Sequence, residues 1–92
     1  MTTFLMFGKF SAEGMKGISA ARTVEAQNLI KKNGGEMVSA YVLLGENDVL
    51  LIVQFPSIDD VIKSSMALSK LLGISFSTVP AITAEHFDKM IA

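Results

Sequence analysis

Apolar positions in this chain repeat in two ways, and the switches between them divide it into elements. Thr2–Phe10 is apolar on both alternations, rich in Phe and Met, and reads as a first strand. Ser11–Gly17 carries two glycines and reads as a loop. From there the spacing becomes helical to about Asn33, with Ser19 placed to cap the start, Ile18 as a hydrophobic staple, and Gly34-Gly35 closing the end. Glu36–Leu44 and Val49–Phe55 are Val-, Leu- and Ile-rich strands joined by a polar bend, Gly45-Glu46-Asn47-Asp48. Ser57 then caps a second helix, with Asp59 and Asp60 at the positive end of its dipole and Gly73 as its stop. Ile74–Val79 is a fourth strand ending at Pro80, which suits an edge. Thr83 caps a short last helix holding Phe87, Met90 and Ile91.

The order β-α-β-β-α-β, with right-handed crossovers, places both helices on one face of a four-stranded antiparallel sheet, the ferredoxin-like α+β arrangement. One face of such a sheet should meet water and alternate with polar residues. The strands expected in the centre do not. Phe4 and Met6 oppose Leu5 and Phe7 in the first; Val49, Leu51 and Val53 oppose Leu50 and Ile52 in the third. Only the outer strands show relief, at Ser39, Ser75 and Ser77. A sheet apolar on both faces needs two covers, and the helices supply one. The same face of a second subunit is the simplest other cover, giving a homodimer or a multiple of it; the last helix folding back is the alternative.

Composition sharpens this expectation. The chain has 92 residues, half of them hydrophobic and only 18% charged. That is more apolar material than so small a single domain, residues 1–92, easily hides. The net charge is −1 and the eight Lys and Arg are scattered, so no basic stripe exists to neutralise phosphates and nucleic acid is not an expected partner. There is no cysteine, hence no disulfide, thiolate nucleophile or Cys-based metal site. Phe4–Phe7 is too short for a signal peptide and no apolar run could span a bilayer, so a soluble cytoplasmic protein without a membrane partner is expected.

The stretch Asn33–Ser57, "NGGEMVSAYVLLGENDVLLIVQFPS", resembles the GYD domain, a family of small bacterial and archaeal proteins named for a Gly-Tyr-Asp motif at this bend. Gly45, Asn47 and Asp48 stand at the motif positions, with Glu46 between. Gly14 and Ile18 look like the family's loop before the first helix, Ser19 and Arg22 like its Ser-x-x-Arg start, and Val79–Thr83 like its closing strand and exit. Three positions depart from the pattern: Asn47 replaces the motif Tyr, Phe10 replaces a Trp, and Ser75–Thr78 lacks an Arg. Ligand roles of those residues therefore do not carry over. The resemblance implies a ferredoxin-like, dimeric α/β-barrel type of architecture and no assigned biochemical activity.

No residue is assigned as catalytic; His86, Tyr41 and Arg22 are the candidates. Paired carboxylates working as acid and base need opposed environments at fixed separation, which Glu46 and Asp48 in a short bend do not provide. Gly45, Asn47 and Asp48 are read as turn residues, with the Asp48 carboxylate accepting backbone N–H groups of the bend. His86, the only histidine, cannot build a zinc site alone and is expected on the last helix. Arg22 falls within the apolar stripe of Ile18, Ala26 and Leu29, where an acid, a second subunit or an anion would satisfy it. Tyr41 is expected at a sheet–sheet contact. Ser65 and Ser69 are read as small residues that let a helix approach the sheet. No glycine pattern fits a phosphate loop or dinucleotide fingerprint, and no serine elbow is present. Neither metal nor cofactor is expected. The leading reading is a non-enzymatic oligomeric module that binds a small apolar ligand or a protein partner. The alternative is a small cofactor-poor monooxygenase or isomerase with substrate between helices and sheet.

Overall fold

The computed structural model describes residues 1–92. Its elements are β1 (Thr2–Phe10), α1 (Ala12–Lys16), α2 (Ala20–Lys32), β2 (Glu36–Val42), β3 (Val49–Phe55), α3 (Ile58–Leu72), β4 (Ile74–Ala81) and α4 (Ala84–Ile91). The strands form one antiparallel sheet in the order β2-β3-β1-β4, so the two doubly apolar strands are central.

Burial separates the two faces. Phe4 and Met6 of β1, Leu51, Val53 and Phe55 of β3 and Ile74 of β4 are buried against Ala26 and Ile30 of α2 and Val61, Leu68 and Leu72 of α3. Opposite them, cross-strand rows run Ser39–Ile52–Leu5–Val79 and Tyr41–Leu50–Phe7–Ser77. The middle of each row is apolar and its ends are mostly small or polar. β2 slips register at Val38: Met37 pairs with Val53, yet Ser39 pairs with Ile52. The extra residue shifts the alternation, so Ala40 and Val42 share the helix side with Leu51 and Val49 while Tyr41 lies opposite Leu50.

Several boundaries differ from the sequence reading. The segment expected as a loop contains α1, because the Ser11 hydroxyl accepts from the Gly14 N–H at 2.9 Å and the Glu13 and Lys16 side chains meet at 3.5 Å across one turn. β2 stops at Val42, two residues earlier than expected. β4 runs on to Ala81 and takes in Pro80 opposite Phe4, at an edge where one side of the strand has no neighbour. The serine at the helix–sheet contact is Ser64, fully buried, rather than Ser65 or Ser69. α3 ends where Gly73 takes the left-handed conformation (φ 66°) and its N–H returns to Ser69 O at 3.0 Å.

The last helix covers neither face of the sheet. Thr83 caps it, accepting from the His86 N–H at 3.0 Å, but none of its residues is buried. The chain measures 49 × 30 × 19 Å with a radius of gyration of 13.7 Å. A compact chain of this length would give about 12 Å. Leu5, Phe7, Leu50 and Ile52 shield one another to half-burial and nothing lies over them. No helix is long and apolar enough to cross a membrane.

Candidate functional site

A cavity of ≈ 250 Å³ opens between the first turns of α2 and the sheet, where β2, β3 and β4 approach it. Twelve of its 15 lining residues are hydrophobic. Its room follows from side-chain size. Ala26 of α2 and Ala40 of β2, both in the lining, carry only methyl side chains. Phe10, Ile74 and Phe76 wall the far side. Ser19, Thr23 and Arg22 supply the polar groups of the rim.

The reason Arg22 sits among apolar residues lies in backbone carbonyls. Its guanidinium donates to Gly14 O at 2.8 Å and to Leu72 O in the last turn of α3. The C-terminus of a helix carries partial negative charge, so a cation there is stabilised, which offsets its poor position near the start of α2. One side chain thus ties α1, α2 and α3 together. Its partners within the chain are carbonyls rather than an acid, and acceptors eight and 50 residues away follow from no spacing rule.

At the bend, Gly45 adopts φ 151°, Asn47 is half-buried and Glu46 is exposed. Asp48 closes the bend with its carbonyl, which accepts the Leu43 N–H at 2.7 Å, but its carboxylate does not serve the bend. Its N–H donates to Gly8 O at 2.8 Å and its Oδ2 accepts the Phe10 N–H at 2.9 Å. Successive even residues of β1 point their backbone groups toward β3, and β3 has ended by the time Phe10 is reached. The carboxylate therefore continues the ladder in place of a missing strand residue. The acceptor was expected to serve its own turn; it serves the end of β1, because that N–H would otherwise be orphaned. Tyr41 is exposed on edge strand β2 and borders the cavity. His86 is exposed on α4, on another element from the cavity walls. The structure thus brings Arg22 and Tyr41 to one cavity and leaves His86, Glu46 and Asp48 outside it. No three potential metal-ligating side chains gather anywhere in the chain.

The Asp48 contact predicts an order of melting midpoints. Glu46→Ala should melt like wild type. Asp48→Ala should lose about 1.5 kcal/mol, the low end for a hydrogen bond to a charged group, since the site is half-exposed. That corresponds to roughly 6–12 °C in a domain of this size, with Asp48→Asn falling between the two. Thermal melts by circular dichroism check the order, and an unchanged Asp48→Ala midpoint would contradict it.

Comparison with known proteins places the chain. The family model described as the GYD domain matches residues 4–91. The chain belongs to the GYD domain family. No curated protein matches this GYD chain in sequence. Among solved structures, it superposes on the leucine response regulatory protein of Mycobacterium tuberculosis with a TM-score of 0.59 at 8% identity, covering 90% of this chain and 51% of the other. It therefore spans about half the length of that regulator. A hypothetical protein from Pyrococcus horikoshii gives a TM-score of 0.56 at 22% identity, covering 94% and 95% of the two chains. At these identities the likeness concerns the fold, and it agrees with the ferredoxin-like arrangement.

Proposed function

We propose that this GYD protein is a homo-oligomeric binding module that pairs through its open sheet face and holds a small, mainly apolar ligand between α2 and the sheet. The observation carrying this reading is the cavity itself: an apolar chamber of ≈ 250 Å³ whose one cation is already engaged by two carbonyls. Ligand pockets typically have about 300–1,000 Å³, so the guest is small. Proton-transfer chemistry needs a base within reach of the substrate. The ionisable side chains at this cavity are Arg22 and Tyr41, which favours binding over turnover. The sheet face supports the oligomer, with an apolar centre of Leu5, Phe7, Leu50 and Ile52 and a border that includes Ser39, Ser77, Thr3 and Gln54. That is the layout of a protein–protein contact.

Native mass spectrometry of protein purified without denaturant tests both parts. The expected spectrum shows two chains or a multiple, carrying a small-molecule adduct that Ala40→Phe removes by filling the cavity. A bare single chain at low micromolar concentration would overturn the proposal. So would an adduct that Ala40→Phe leaves in place.

A further inference from the structure

Two apolar surfaces remain beyond the cavity and the open face, and they match. One is a groove of ≈ 180 Å³ between α3 and edge strand β4, lined by Val61, Ile62, Ser65, Met66, Phe76 and Thr78. Ile58, Ile62 and Met66 recur every four residues, so they stack along one side of α3, and each is more than half exposed. Ser65 and Ser69 share that side and are small enough for another helix to come close. At the groove, Thr78 Oγ1 is buried without a hydrogen-bond partner.

The other surface is α4. At 100° per residue, Ala84, Phe87, Met90 and Ile91 fall within a stripe of about 120°. Phe87, Met90 and Ile91 are all exposed. Glu85 and Lys89 pair with each other at 3.3 Å on the opposite side, and Asp88 borders the stripe. Lys63 and Lys70 outnumber Asp59 along the edge of the α3 stripe, a net positive rim against Asp88 of α4. The lengths agree as well. Ile58 to Met66 spans about 12 Å at 1.5 Å per residue, and the eight residues of α4 span the same. The chain's own α4 does not fill its own groove. It leaves β4 after Ile82 and Thr83 with no residue buried.

We propose that α4 of one copy docks in the α3–β4 groove of a second copy, with Phe87 and Met90 as anchors, and that the exchange is reciprocal. This is helix-in-groove recognition between identical chains joined by a two-residue hinge. The contact uses a different surface from the open sheet face, so the two associations can be tested separately.

The chain has no cysteine, which makes a site-specific test direct. Ile62→Cys and Ile91→Cys are introduced together at two exposed positions, leaving both anchors in place, and the protein is treated with oxidised glutathione. The expected product is a reducible covalent dimer whose peptide map shows residue 62 of one chain bonded to residue 91 of the other. Adding Leu5→Glu should leave that bond in place. Adding Met66→Glu should cut its yield about tenfold or more, because a carboxylate would be buried under α4, while the melting midpoint holds. A bond within one chain would place α4 in its own groove and overturn the proposal. Bonds only between like positions, or no bond at all, would overturn it too.

Discussion

Leu5→Glu is expected to yield a folded protein that has lost its sheet-to-sheet contact and runs at a lower mass than wild type, and Leu51→Glu an unfolded chain. The two residues sit in neighbouring central strands and both are leucines, so composition and propensity hardly separate them. Facing does. Leu51 is 8% exposed and packs beneath the helices, where an unpaired carboxylate costs several kcal/mol. A typical domain has about 5–15 kcal/mol of stability in all, and one this small stands near the lower end. Leu5 pairs with Ile52 and Val79 on the open face. A glutamate there meets water in the lone subunit and becomes costly only when a second sheet covers it. Light scattering with far-ultraviolet circular dichroism separates the cases. If Leu5→Glu keeps the wild-type mass, the open face is not the contact.

Gly14→Ala should be among the most damaging small substitutions. Gly14 is buried in α1, and an added Cβ would collide with the carbonyl oxygen of Gly73 and lie 2.9 Å from that of Leu72. Both obstacles are backbone at the end of α3, and the second also accepts from Arg22. A flexible side chain could swing aside; a helix terminus held by a guanidinium and a left-handed glycine cannot. The expected cost is about 3 kcal/mol or more, at or beyond the upper end for overpacking. That lowers the midpoint by roughly 12–24 °C. Glu13→Ala, at an exposed neighbour, should melt within a few degrees of wild type. A Gly14→Ala midpoint equal to that of Glu13→Ala would mean that α1 and α3 separate at little cost.

Features set by neighbours in sequence were legible before any coordinates. The central place of β1 and β3 follows from their doubly apolar runs, and Ser57, Gly73 and Thr83 mark helix ends through local chemistry. What escaped depends on contacts between distant segments. Arg22 is explained by a carbonyl 50 residues away, and the Asp48 carboxylate by an N–H 38 residues away. No spacing rule encodes either. α1 escaped for another reason: five residues including a glycine are too few to show a helical period, although its Ser11 cap and Glu13–Lys16 pair were present. The cavity could not be read from residue types either, since small side chains signal close packing as often as open space.

The slip at Val38 shows how much of that cavity depends on counting rather than chemistry. Were Val38 to pair with Ile52 instead of standing outside the ladder, pairing would continue in step from Met37 opposite Val53, and everything after it in β2 would turn over. Ser39 and Tyr41 would then face the helices, and Ala40 would join the open side. A phenol ring would point into the space that Ala40 and Val42 now border. The bulge at this position thus acts as a valve on the chamber, opening or filling it without altering a single wall residue.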